Sequence, residues 1–165
     1  MNESIGGSAL ISLVIFIVGA LLLIIVGALS YSKAYRVKNR IIGIIDKYEV
    51  FNDQKDYNDY KDALSEISED LASIGYSSVK IKNCDELPVY KSLETKKNNG
   101  TISSFKIVYD GTNSYDYCVY ETSLSDGSYY YTVVTFVHIN FPVIESIAHV
   151  PVSGETVIYG KKYDN

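Results

Sequence analysis

At 165 residues the chain has room for one domain beside a membrane segment. Hydrophobic residues make up 47% of it and only three prolines occur, which argues against a disordered chain. The formal charge of −5 is unevenly spread, at −1 up to Ser30, +3 over residues 31–50 and −7 beyond, so the folded part makes a poor nucleic-acid partner.

In chain order, the first element is Ala9 to Leu29, 21 residues without a charge. At about 1.5 Å rise per residue this run spans ~31 Å as a helix, the thickness of a bilayer's hydrocarbon core. A buried soluble helix and a cleavable signal peptide, cut near Ala28-Leu29-Ser30, are the alternatives. No Lys or Arg precedes the run, and it exceeds the usual ~7–15 apolar residues of a signal, so an anchor is expected. The reading is a leader-like N-terminus over 1–8, a transmembrane helix over 9–30 and a globular domain over 31–165. That domain divides into a helical part, 31–75, and a β-sheet part, 79–159.

The anchor helix is expected to continue. Ala34, Val37, Ile41, Ile44, Tyr48 and Phe51 recur with spacings of three and four, one face of an α-helix, and no proline interrupts Ser8 to Phe51. Asn52-Asp53-Gln54 is the expected break. A second, antiparallel helix carries Tyr57, Tyr60, Leu64, Ile67, Leu71 and Ile74 on one face, with Gly75 where a C-terminal glycine belongs. Glu66, Glu69 and Asp70 read as its solvated face.

Beyond Gly75 the period changes to two. Strands are expected at Val79–Ile81, at Ile102–Tyr109 with Phe105, Ile107 and Tyr109 on one face, and at Tyr115–Glu121. Tyr129–Ile139 is the longest, and Val150–Tyr159 the last. Asp110-Gly111 and Asp126-Gly127 supply turns. Val133 to Val137 is apolar on both faces, so this strand needs cover from both sides. It is placed beneath the long helix, against Ile41, Ile44 and Tyr48. Glu94–Gly100 reads as an exposed loop, Phe141–Ala148 as a short helical or irregular turn, and Ser153-Gly154-Glu155-Thr156 as a turn. The fold class is α+β, with a mostly antiparallel sheet.

Chemistry is sparse. Cys84 and Cys118 are the only thiols. Outside the cytoplasm they would form one disulfide; inside it they would be two buried reduced cysteines. His138 and His149 read as structural, with no Ser/His/Asp or zinc-protease spacing beside them. Asp53, Asp56 and Asp59 do not have the calcium-loop pattern. Asn99-Gly100-Thr101 is a weak glycosylation signal. No catalytic residue, metal site, cofactor or small-molecule substrate is expected. The 16 tyrosines, with no tryptophan, suit an extracellular β surface or a subunit interface. Lys33, Arg36, Lys38 and Arg40 follow the anchor with no basic residue before it, which by the positive-inside rule puts the domain in the cytoplasm. They also suit contact with lipid headgroups.

A long helix, half apolar and half amphipathic, followed by an antiparallel sheet with one cysteine pair, resembles type IV pilins. The detail is most similar to the pilin-like minor subunits of tight-adherence (Tad) pili. In that family a leader ends in glycine, and a glutamate and an aromatic occupy the fifth and sixth mature positions. Gly7-Ser8-Ala9-Leu10-Ile11-Ser12-Leu13 runs parallel to this pattern, with cleavage between Gly7 and Ser8. Ser12 stands in place of the glutamate and Leu13 in place of the aromatic. Tyr35-Arg36-Val37-Lys38-Asn39-Arg40, Asn140-Phe141-Pro142-Val143-Ile144 and Val152-Ser153-Gly154-Glu155-Thr156-Val157-Ile158-Tyr159 are similar in style to the juxtamembrane and C-terminal parts of these subunits.

The resemblance implies a structural, non-enzymatic subunit in a bacterial cell membrane with its domain outside. Its partners would be lipid, other pilin-like subunits and an assembly platform, and Ser12 implies a minor or priming role. A membrane-anchored extracellular binding or sensor module that does not assemble is one alternative. A cytoplasm-facing regulatory subunit, which the charge distribution favours, is the other.

Overall fold

The computed structural model describes residues 2–49, 51, 57–76, 83–111, 116–137 and 150–160, with side chains from Ser8 onward. Helix α1 runs unbroken over Asn2–Tyr48. Its 47 residues reach about 70 Å, more than twice a bilayer's hydrocarbon thickness. Glu49 ends it in the left-handed conformation, φ 55°, earlier than the expected break at Asn52. Phe51 therefore lies outside the helix. Its ring is fully buried, and its N–H donates to Tyr131 Oη at 3.1 Å. Helix α2, Tyr57–Ile74, returns along α1 and buries Ala63, Ile67 and Leu71. Gly75 closes it at φ 64°, as its position in the sequence implied.

Four strands follow: β1 Ser104–Tyr109, β2 Tyr117–Ser123, β3 Tyr129–Val137 and β4 Val150–Glu155. They form an antiparallel meander in the order β1-β2-β3-β4. Every residue of β3 is buried. Its odd positions Tyr129, Tyr131 and Val133 join Val37, Ile41, Ile44 and Ile45 of α1 in one core, with Tyr48 partly buried beside them. Its even positions Val134 and Phe136 face the opposite layer with Cys118 and Tyr120. The two-sided apolar strand is thus covered on both faces, and the helical cover over one of them is α1.

The second cover was not legible as such. The expected exposed loop at Glu94–Gly100 is instead the end of helix α3, Pro88–Asn98, preceded by a 3-10 turn at Cys84–Glu86. Pro88 opens the helix and Lys96 and Lys97 occupy its last turn, both favourable positions. Besides Cys84, only Leu87 and Leu93 of this region are deeply buried, so a mainly polar sequence concealed a short helix with a narrow apolar edge.

Two further expectations are corrected. A bulge between Ile107 and Tyr109 breaks the alternation of β1. Phe105 and Ile107 pack on the α3 side, whereas Tyr109 turns to the α1 side and stacks on Tyr117 at 4.1 Å. Ser153-Gly154-Glu155 is strand, pairing Val134, Val133 and Thr132 of β3, and Thr156 continues the ladder through its N–H to Tyr131 O at 2.9 Å. The strand is shorter than expected, ending at Glu155; the chain rejoins the sheet at a single bridge, Tyr159 to Tyr129. Val79–Ile81, Phe141–Ala148, Asp53, Asp56, His138 and His149 lie outside the described residues.

Candidate functional site: the spanning helix and its seat on the domain

From Leu10 to Leu29 the large apolar side chains of α1, all but the half-buried Val26, are exposed; Ile24 is 68% exposed and Phe16 74%. The helix is long and apolar enough to cross a membrane, with none of its most apolar stretch buried within the protein. A soluble core helix would be mostly buried, so lipid or neighbouring helices are the natural surroundings of this surface. Gly7 and Ser8 fall within α1, Leu13 is 54% exposed, and Ser12 is exposed beside it. No side chain lies near Gly19 or Gly27.

Five residues past Leu29 the same helix becomes part of the domain. Ala34, Val37 and Ile41 are buried, and Thr135 Oγ1 donates to Ala34 O at 3.0 Å. The membrane-side end of the sheet therefore lies only about 8 Å along the helix axis from Leu29.

Three of the four basic residues after the anchor are engaged by the domain. Lys33 Nζ donates to Gly75 O at 2.6 Å, covering the carbonyl end of α2. Arg40 pairs with Asp70 at 3.1 Å. Lys38 is buried, with its ammonium 4.2 Å from the centre of the Tyr35 ring. Its stem crosses Gly154, where an added Cβ would stand 2.8 Å from Lys38 Cδ and 3.0 Å from Ile42 Cδ1. Glycine at 154 lets β4 approach α1 this closely. Arg36 is exposed and has no partner among the described residues. It lines a groove of about 340 Å³ with Asn39, Arg40 and Ile74.

Further along, Glu66 accepts from Lys47 Nζ at 2.7 Å and Tyr48 Oη at 3.0 Å. The Lys47 bond, then the Tyr48 bond, hold the Glu66 carboxyl below its ordinary range; the Glu66 bond raises Lys47 in turn. Glu66 and Asp70, on a face still open to solvent, thus also tie α2 to α1, which their reading as a solvated face did not include, while Glu69 is exposed as expected.

Cys84 and Cys118 form a disulfide with Cα atoms 5.9 Å apart, joining the turn before α3 to β2. Tyr120 Oη donates to Cys84 O at 2.6 Å beside it. Sequence reasoning missed the tyrosine hydroxyls that close gaps in the backbone. Phe136 N–H donates to Tyr76 Oη at 2.8 Å, and that hydroxyl lies 3.0 Å from Asp116 O, beyond the end of the β2–β3 ladder. Burial raises the Tyr76 phenol well above its usual value, and does the same to Tyr117, Tyr120 and Tyr131. A second cavity of about 360 Å³ separates α3 from β4, lined by Ser92, Lys96, Thr132, Ser153 and Glu155 among others. Among the described residues, no three His, Cys, Asp or Glu side chains are placed to hold a metal ion. No protein-family model, curated protein or solved structure matches this chain.

Proposed function

We propose that this chain is a membrane-anchored, pilin-like structural subunit of a type IV or Tad-type filament, with its domain outside the cell. One observation carries the reading. A single unbroken helix presents bare apolar surface along its first half and is buried against an antiparallel sheet along its second. Such a helix stores the subunit in the bilayer and gives an assembly machine a rigid handle on the domain. On extraction, neighbouring helices replace lipid around the same apolar surface. Ser8, Ser12, Gly19 and Ser30 fall within about 40° of one another on a helical wheel and, with Gly27, allow close helix approach. The disulfide supports an oxidising compartment. Ser12 in place of the family's glutamate supports a minor or priming subunit over the bulk filament.

The test follows a tag placed after Asn165. Protease added to intact cells should remove the tag, and shearing should release it with high-mass filament material. A tag that survives on intact cells, and is lost once the membrane is permeabilised, would place the domain in the cytoplasm and end the proposal. A tag that is accessible yet never leaves the membrane fraction would instead support an anchored binding module that does not assemble.

A further inference from the structure

The groove at Arg36 goes beyond the filament reading and rests only on α1 being a membrane anchor. Between Ser30 and Ile45 there are four basic residues and no acidic one. Lys33, Lys38 and Arg40 have partners inside the domain. Arg36 has none among the described residues and is exposed at the groove between α1 and the C-terminal end of α2.

The position of this groove relative to the bilayer follows from the helix. Lys33 lies about 6 Å and Arg36 about 10 Å beyond Leu29 along the axis. The headgroup layer is about 5–8 Å deep on each side of the hydrocarbon. Side chains on a helix lean toward its N-terminus, here the membrane side, so Arg36 reaches down into that layer. Tyr31 and Tyr35 are about half exposed on the same stretch, where aromatic side chains favour the interface. The α2 carbonyl end, which would repel an anion, is covered by Lys33.

We propose that Arg36, Asn39 and Arg40, backed by Ile74, seat the phosphate of an anionic phospholipid in the leaflet from which α1 emerges. Arg36 supplies an exposed charge with no partner among the described residues and a planar fork of N–H donors. Asn39 supplies an amide donor, and Arg40 the exposed edge of a guanidinium already held by Asp70. Ile74 faces the lipid's apolar side. The domain then rests on the membrane in a fixed orientation instead of swinging about α1.

The test uses the full-length chain in mild detergent. Phosphatidylglycerol and phosphatidylcholine are added in equal amounts, and retained lipid is counted by native mass spectrometry. The wild type should retain phosphatidylglycerol preferentially. Arg36→Gln should lower that preference about fivefold, the effect of one basic residue at an anionic surface. Arg36→Lys should keep most of it, and Lys61→Gln, on the exposed side of α2, all of it. Arg36 has no hydrogen bond or ion pair among the described residues for its loss to break, so the melting temperature should hold in every variant. Equal retention of both lipids by the wild type would overturn the proposal. So would displacement of the lipid by inorganic phosphate, which would mark a free-anion site. An Arg36→Gln change in self-association with lipid retention unaltered would assign the face to a second copy and also overturn it. A chain recovered from the soluble fraction without detergent would remove the anchor itself; failure of the filament reading alone leaves the seat untouched.

Discussion

Ile41 is fully buried at the centre of the core that α1, α2 and the sheet share, whereas Ile24, on the same helix, is 68% exposed. Ile41→Ala deletes three carbons. At about 0.8 kcal/mol per buried methylene the transfer loss is ~2.4 kcal/mol. Val37, Ile45 and Val133 are themselves fully buried and held by helix and sheet, so the site cannot collapse fully and a cavity penalty adds to this. The expected total is about 3–4 kcal/mol, inside the usual 2–5 kcal/mol range for such truncations. For a domain of this size that is roughly 10–15 °C in melting temperature. Ile24→Ala should leave the domain's melting unchanged, because that side chain is exposed and its stretch of α1 is not buried among the described residues. The assay is thermal unfolding of the full chain in detergent, followed by near-ultraviolet circular dichroism of the buried tyrosines. An Ile41→Ala variant that melts like the wild type, or an Ile24→Ala variant that loses as much, would refute the division of α1 into a spanning half and a folded half.

Two further outcomes are expected of the domain. Breaking the Cys84–Cys118 bond frees a loop with a sequence separation of 34, for which the chain-entropy relation gives about 3.8 kcal/mol; Cys84→Ser with Cys118→Ser should lower the urea midpoint accordingly. Thiol labelling of denatured, unreduced wild type should find no free cysteine, and two reactive thiols would contradict the pairing. Tyr76, Tyr117, Tyr120 and Tyr131 all have phenols raised by burial, so the folded state keeps their protons where the unfolded chain releases them. Their stabilisation is complete below about pH 10 and declines as pH rises above it, by roughly 1.4 kcal/mol per tyrosine per pH unit. Four such groups give about 5 kcal/mol per unit, so tyrosinate absorbance and unfolding should rise together above pH 10; ionisation of all tyrosines in a still-folded domain would show that these phenols are wet.

Periodicity alone located α1, α2, three of the four strands closely and the two-sided cover of β3, because each has a long apolar repeat that burial then satisfies. It failed where packing is set by few residues. Helix α3 covers the second face of the sheet with little more than Leu87 and Leu93 deeply buried, and its polar remainder reads as loop. The bulge at Ile107–Tyr109 reverses a face without any Gly or Pro to announce it. Gly154 carried a turn signal because glycine commonly marks turns, yet here it serves close approach beneath Lys38. The apolar span, by contrast, was legible directly from composition, while the pairing of the only two thiols followed from the sequence only on the reading that the domain lies outside the cytoplasm.

The basic residues past the anchor show how a local charge rule meets a fold. The positive-inside rule weighs Lys33, Arg36, Lys38 and Arg40 as signals to the insertion machinery, equal in kind. In the folded chain they are unequal. Lys33 caps α2, Arg40 holds Asp70, and Lys38 is buried between Tyr35 and Gly154. Each would be required on either side of a membrane, because each helps fix α1 to α2 or to β4. A surface ion pair such as Arg40–Asp70 contributes only up to about 1 kcal/mol, but a lysine packed over a glycine has no neutral equivalent of the same reach. Removing these three charges to test orientation would therefore perturb folding at the same time. Of the four basic residues, Arg36 is the one without a partner among the described residues, and an orientation experiment built on Arg36→Gln, with lysines added before Ala9, separates the insertion signal from the fold.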